Sequence, residues 1–349
     1  MDDGEEEELY DAIFNLRVFP AGRTLWIGGT PAIRRDGIAN FNCAFKTIDS
    51  IEAFSESLYL LMNGCGVGFS VEQKHIDKLP TFLTTVDVVH KPYQPIPAAA
   101  QEQTELIELE TKGVYKLIVG DSKEGWTDAL YYLLFVLTSN WVKRVIIHYD
   151  YVRPAGTPLK TFGGRASGAE PLMKAFKSIV GIINSSTGRL NSVECMDIAT
   201  TIAAAVVVGG VRRSSEIALG DSDDEAFITA KKDLFSDPEK ARFRDNRVMS
   251  NNSVMLNSRP TAERFEEMLA TIVNNGEPGL INAETARMRR PDFEGVNPCA
   301  EILLRDRGLC NLAEVPLSAH VNKVDGGYRL DEIQLRHSLI LATRHCSRI

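Results

Sequence analysis

Two cysteines eleven residues apart, in Asn297-Pro298-Cys299-Ala300-Glu301 and Gly308-Leu309-Cys310-Asn311-Leu312, are joined by a third far upstream in Asn42-Cys43-Ala44. Zinc sites usually bring their thiolates in close pairs such as CxxC, and no such pair occurs in the chain. Disulfide scaffolds are short and dense in cysteine, whereas six cysteines are spread here over 349 residues. The layout points to thiol chemistry in an enzyme. In extended or loop backbone, residues two apart point the same way, so Asn297, Cys299 and Glu301 can face one cavity and offer an amide, a thiol and a carboxylate to one small substrate. The remaining thiols carry less. Cys195, in an apolar run, reads as a buried and inert cysteine, the commonest fate of a single thiol, and Cys65 reads the same way. Cys346 has no assignable place. A thiolate nucleophile at Cys299 would need a histidine partner, and none of the six histidines lies in a recognisable motif.

Elements able to position such residues alternate between helical and strand character, with glycine-rich turns between them, as in an α/β fold. Ile51 to Met62 has the 3.6-residue apolar period, with Asp49 and Ser50 placed to cap its first turn. It ends at Asn63-Gly64-Cys65-Gly66-Val67-Gly68, where glycines allow backbone conformations that other residues resist. Trp126 to Asn140 and Ser192 to Val208 read as buried helices, Val145 to His148 as a short strand, and Pro260 to Asn275 as an amphipathic surface helix. Periodicity alone does not choose between a sheet-based barrel and a doubly wound sheet.

Gly163-Gly164-Arg165-Ala166-Ser167-Gly168 and Gly209-Gly210-Val211-Arg212-Arg213-Ser214-Ser215 are ordinary turns on their glycines alone. Their arginines and hydroxyls beside open backbone amides suit phosphate oxygens, although neither is a Walker or dinucleotide fingerprint. A 44% hydrophobic content is enough for a sizeable core, and no stretch reaches the roughly 20 apolar residues of a membrane span. The net charge of -8, concentrated in an acidic N-terminal run that reads as a solvated helix start, argues against a broad nucleic-acid surface. The expected compartment is the cytoplasm, where any disulfide would be transient.

The ordered motifs resemble the catalytic subunit of the ribonucleotide reductases, most closely the compact adenosylcobalamin-dependent (class II) branch of phage and bacterial type. They are FPAGRTLWIGGT (19 to 30), NGCGVGFSVE (63 to 72), VRPAGTPLKTFGGRASGAEPL (152 to 172), GGVRRSSEIALGD (209 to 221), MSNNSVML (249 to 256), NGEPGLIN (275 to 282) and Asn297-Pro298-Cys299-Ala300-Glu301. The resemblance implies a ten-stranded α/β barrel with a central finger loop, of which this chain covers mainly the first half plus that loop. Residues 1–18 would be an acidic helical segment, and residues 19–349 the catalytic barrel domain with its C-terminal half incomplete. The implied activity is reduction of ribonucleotides to 2′-deoxyribonucleotides for DNA synthesis, with diphosphate and triphosphate substrates both open.

Carried over residue by residue, Cys299 would form the thiyl radical, Glu301 would take the 3′-hydroxyl proton, and Asn297 would hydrogen-bond to substrate. Cys43 and Cys310 would supply two electrons and end as a disulfide. Thr24, Asn42, Gly66 and Arg212 are implied substrate contacts. Asp49, Ser50, Gly163, Gly164, Arg165, Gly209, Gly210 and Arg213 are implied effector contacts for a dNTP or ATP. Adenosylcobalamin is the implied radical source, with a separate dimetal ferritin-like subunit as the alternative. A thioredoxin-like reductant is the implied electron donor, and no nucleic-acid or membrane partner is implied. The second half of the barrel, its phosphate loop and a C-terminal cysteine pair are not recognisable. The alternative expectation is therefore a nucleotide-binding remnant or half-subunit that needs a second polypeptide. No ATP-binding cone is expected at the N-terminus.

Chemistry constrains these roles. Glu301 must be ionised to take a hydroxyl proton, so a desolvating cavity must also supply it with hydrogen bonds, and Asn297 is one candidate donor. Two cysteines that close a disulfide must bring their sulfurs to about 2.05 Å.

Overall fold

The structure, a computed structural model, describes residues 3–96, 101–159, 164–207, 214–232, 234, 237 and 245–348. It divides into two compact units, Cys43–Gly308 and Met1–Asn42 with Leu309–Ile349.

The larger unit is built on five parallel strands in the order Gly279–Asn282, Ser250–Leu256, Glu216–Asp221, Gly66–Ser70 and Cys43–Thr47. In Gly66–Ser70 and Glu216–Asp221 consecutive rather than alternate residues are buried, because both faces of this parallel sheet are covered. One face, carrying Ala44, Val67, Phe69 and Ala218, is buried against the helices Ile51–Met62 and Ser192–Val207. The expected helix over Ile51 to Met62 is found at those limits, with Phe54, Leu58 and Leu61 turned into the core. Its expected capping is not: Ser50 occupies the N-cap position without a side-chain cap bond. Asp49 instead lies between two lysines, 4.0 Å from Lys46 Nζ and 3.9 Å from Lys78 Nζ.

The same unit carries a second sheet in the order Asp87–His90, Arg144–His148, Val114–Ile118, Glu105–Glu108, in which only the last pairing is antiparallel. The buried helix expected from Trp126 begins earlier, at Lys123–Thr138, because Ser122 caps it by accepting the Gly125 N–H. The helices Ser192–Val207 and Ala262–Asn275 lie close to the expected spans, with Gly276 in the left-handed region closing the second, and a further helix, Glu170–Ser185, was not among those expected. Two imidazoles, His75 buried and His90 half-buried, set an acid limit on this unit. His90 Nδ1 lies 2.9 Å from Tyr149 Oη, and burial pushes His75 and His90 each down to about 4.

The native state keeps both rings neutral, whereas the unfolded chain binds protons on them from about pH 6.5. Their contribution to stability is therefore complete above pH 6.5 and lost as pH falls toward 4. The melting temperature should drop over that window, and His90→Gln should make the slope shallower in thermal melts. An unchanged slope in that variant would refute the assignment.

In the smaller unit, the helices Asp3–Phe14 and Glu332–Ser347 bury Leu9, Ala12, Val18, Leu341 and Ala342 together. The acidic N-terminal run is thus a helix, and Glu5 within it is paired with Arg344 and Arg348. Phe19–Pro20 pairs antiparallel with Ala313–Glu314. Among the described residues, no helix is long and apolar enough to cross a membrane.

Candidate active site

The cysteine of Asn297-Pro298-Cys299-Ala300-Glu301 stands at the end of a short hairpin, Gly295–Val296 against Leu303–Leu304, laid on the face of the larger sheet away from the helices. Three glycines make room for it. A Cβ on Gly295 would fall 2.1 Å from the Phe45 ring, one on Gly68 1.9 Å from the Val296 carbonyl oxygen, and one on Gly66 2.8 Å from Pro298 Cγ. Only a bare backbone allows so close an approach, so these glycines act through space rather than through torsion.

At the tip, Ala300 adopts φ 65 and turns the chain back. That turn breaks the extended alternation expected of the motif. Asn297 is wholly buried, while Cys299 and Glu301 are exposed. The Asn297 side chain joins the hairpin to the sheet. Its Oδ1 accepts the Ile302 N–H at 3.0 Å, and its Nδ2 donates to Cys43 Sγ at 3.8 Å. Cys43 opens its strand in register with Gly66, so the site is built at the N-terminal ends of two adjacent strands. From the strand Ser250–Leu256, Asn251 Nδ2 donates to the Pro298 carbonyl at 3.3 Å.

Partial desolvation first, then the nearby Glu301 carboxylate and Cys43, push the thiol of the exposed Cys299 above its ordinary value. Cys299 is therefore a protonated thiol at neutral pH, a form that can give up a hydrogen atom and is a poor nucleophile. This counts against the thiolate-nucleophile alternative. Glu301→Gln removes one of the charges that disfavour the thiolate, so iodoacetamide should alkylate Cys299 faster in that variant at pH 8. A slower or equal rate would refute this electrostatic account. Cys195, by contrast, is fully buried, and burial pushes its thiol far up, as expected of an inert core residue.

The outgoing arm of the hairpin is held by charge. Thr47 donates from its N–H and its hydroxyl to Asp306 at 2.8 and 3.0 Å, and Phe45 N–H donates to the Gly308 carbonyl at 2.9 Å. Lys46 is almost wholly buried, with carboxylates of Glu56 at 3.4 Å and Asp306 at 3.5 Å. Nothing in its sequence neighbourhood marks Lys46 as buried. Another such residue is Glu216, whose carboxyl is pushed well up by complete burial and has no hydrogen-bond partner among the described residues.

Of the other expected site residues, Thr24, Asn42 and Cys310 belong to the smaller unit. There Thr24 donates to Asn40 Oδ1 at 3.0 Å, and Asn42 N–H donates to the Cys310 carbonyl at 3.0 Å. Gly164 and Arg165 lie on a loop in which Leu159 N–H donates to Gly164 and Arg165 Nη1 to the Gly156 carbonyl, both at 2.9 Å. Arg153, bonded to Asp121 through both its N–H and Nε, fixes the root of that loop. Gly163, Gly209, Gly210, Arg212 and Arg213 lie outside the described residues. Among the described residues, no group of three histidine, cysteine or acidic side chains is arranged to hold a metal ion.

Comparison with known proteins gives this geometry a context. Residues 85–183 match the family model of the insertion domain of B12-dependent ribonucleotide reductase. The chain is 34% identical over 389 residues to an adenosylcobalamin-dependent ribonucleoside-triphosphate reductase of Lactobacillus delbrueckii subsp. bulgaricus, covering 99% of this chain and 50% of that protein. It is 34% identical to the protein of that description from Levilactobacillus brevis, over 89% of this chain and 46% of the other. A crystal structure of a B-12 dependent (class II) ribonucleotide reductase matches with a TM-score of 0.81 at 31% identity, over 99% of this chain and 51% of that one. The chain spans about half the length of the curated relatives it matches.

Proposed function

Because the chain is kin in sequence and in fold to the adenosylcobalamin-dependent (class II) ribonucleotide reductases, we propose that it carries the thiol chemistry of ribonucleotide reduction. The observation that carries this reading is the juxtaposition at the hairpin tip: a protonated Cys299 thiol, the Glu301 carboxylate, and Asn297 bonded to Cys43. Ribonucleoside triphosphates, named for the relatives, are the proposed substrates, and a dNTP or ATP is the proposed effector. Residues 19–349 would act as one catalytic domain in the cytoplasm.

Adenosylcobalamin, when bound, would supply the organic radical that removes the hydrogen atom from Cys299. The exposure of that sulfur fits an external radical source, and so does the dependence named for the relatives. A dimetal centre would have to come from a separate subunit, the less favoured source.

The Cys299 thiyl takes the 3′-hydrogen of the ribose, and Glu301 takes the proton of the 3′-hydroxyl. The 2′-hydroxyl leaves as water with a proton from Cys43, and the Cys43 and Cys310 thiols together give two electrons and become a disulfide. Cys299 then returns its hydrogen to C3′. The balance is one ribonucleotide and two thiols to one deoxyribonucleotide, one disulfide and water, with a thioredoxin-like dithiol restoring the pair. Two features of the larger unit support the pairing. Thr47 bonds to Asp306 and Phe45 to Gly308. Cys310 follows Gly308 by two residues, as Cys43 precedes Phe45 by two.

A thiyl must be shielded from solvent once formed, so exposure of Cys299 favours a role for the sequence that completes the relatives' length, on a second polypeptide or otherwise. Anaerobic incubation with a ribonucleoside triphosphate, a dNTP and dithiothreitol, with and without adenosylcobalamin, tests the reading. Deoxynucleotide formed only with the cobalamin supports it. Product without it would overturn the cofactor assignment. No product but calorimetric dNTP binding would favour a nucleotide-binding half that needs a partner polypeptide, and neither product nor binding would overturn the function.

A further inference from the structure

The hairpin's root, at the opposite end of its seat from Cys299, is gripped by a charged cluster that the sulfur chemistry does not use. Glu294 precedes the first hairpin strand, and its N–H donates to the Leu304 carbonyl at 2.9 Å. Its carboxylate lies 3.3 Å from Lys74 Nζ and 3.7 Å from His75 Nε2. Both bases also approach Glu72, Lys74 at 3.4 Å and His75 at 3.7 Å.

Glu72 is fixed: it is wholly buried and accepts the Ser70 hydroxyl at 2.9 Å, and Ser70 ends the strand under the hairpin. Its other oxygen has no hydrogen-bond partner among the described residues. The turn bearing Lys74 is itself tied down, since Gln73 N–H donates to Asp221 at 2.6 Å.

The seat explains why such an anchor is needed. Two-residue strands supply little pairing, and a track of glycines offers no side chains to resist sliding along the strand. Alignment therefore depends on polar anchors at both ends. Asn251 and Asn297 serve at the tip.

We propose that Lys74 is a positioning residue whose ammonium bridges buried Glu72, just beyond the strand Gly66–Ser70, to Glu294 at the hairpin root, and so sets where Cys299 stands relative to Cys43. The catalytic meaning of this bridge rests on the reading of Cys299 as the reacting thiol. The bridge itself does not, and it can be measured without turnover or nucleotide.

The test is amide hydrogen exchange of the intact chain by mass spectrometry, together with the iodoacetamide alkylation rate of Cys299. Lys74→Met and, independently, Glu294→Gln should speed exchange over residues 294–304 about twofold to fivefold, the scale of a partly exposed ion pair. Both should also shift the Cys299 alkylation rate, while exchange over Ile51–Met62 stays as in the wild type. Lys74→Arg, which keeps the bridging charge, should behave as wild type in both measurements.

Wild-type exchange over 294–304 in the Met and Gln variants would overturn the proposal. Equal acceleration over Ile51–Met62 would reduce Lys74 to a general stability contact and overturn it as well. Should Lys74→Met fail to fold, Glu294→Gln, at a half-exposed carboxylate, decides alone. A clamp that fails this test leaves the reductase reading standing, and a clamp that passes leaves that reading to the deoxynucleotide assay.

Discussion

Cys299→Ala should abolish deoxynucleotide formation, by roughly 10³-fold or more, in any preparation in which the wild-type chain turns over. No other group in the motif can hold the unpaired electron and then take hydrogen from the ribose. Cys299→Ser should fail equally, because an O–H bond is stronger than an S–H bond and the same radical source cannot break it. The loss would be one of chemistry. An exposed side chain at a hairpin tip contributes little to folding, so stability should stay within about 0.5 kcal/mol of wild type. Effector affinity, measured by calorimetry with a dNTP, should also be unchanged. Retained turnover in Cys299→Ala would remove the radical role from this residue and with it the proposed mechanism.

The largest structural effect is expected at Gly68. An added Cβ there would stand 1.9 Å from the Val296 carbonyl oxygen and 3.1 Å from its carbon, with Ile217 Cγ2 at 3.2 Å. Backbone atoms cannot swing aside as a side-chain end can, so either the hairpin lifts or the strand Gly66–Ser70 is displaced. Gly68→Ala should cost about 3 kcal/mol, the upper range for overpacking a tight contact. At Gly66 the first obstacle is Pro298 Cγ at 2.8 Å, part of a side chain rather than backbone, and the cost should be smaller. Thermal melts should rank wild type, Gly66→Ala and Gly68→Ala in falling order. A Gly68→Ala protein that melts with the wild type would show that the hairpin does not sit on this strand.

The chemistry of the site was legible because it resides in residue types at short spacing: an amide, a thiol and a carboxylate within five residues. The helix Ile51–Met62 was legible for a similar reason, since its apolar period is local and strong. What escaped is what depends on distant segments. Gly64, Gly66 and Gly68 look alike in sequence as a turn, yet Gly66 and Gly68 lie on a strand and serve to admit another piece of chain. Lys46 looks like a surface lysine, and its burial follows only from the carboxylates of Glu56 and Asp306 around it. Asp49 sits where a helix cap belongs, but two lysines compete for it. The motif was read as extended or loop backbone with all three side chains facing one way, and one residue in the left-handed region, Ala300, instead separates buried Asn297 from exposed Cys299 and Glu301.

The glycine seat also sets a timetable for the nascent chain. Cys43 and the Asn297 that bonds to it are 254 residues apart. At a synthesis rate of about 5–20 residues per second, the strands of the seat leave the ribosome roughly 10 to 50 seconds before the hairpin that covers them. Throughout that interval Gly66 and Gly68 present bare backbone with nothing of their own to shield it. A peptide segment from a neighbouring nascent chain could settle there first, so slower elongation between residues 70 and 294 should lower the soluble yield, and a holdase chaperone should restore it.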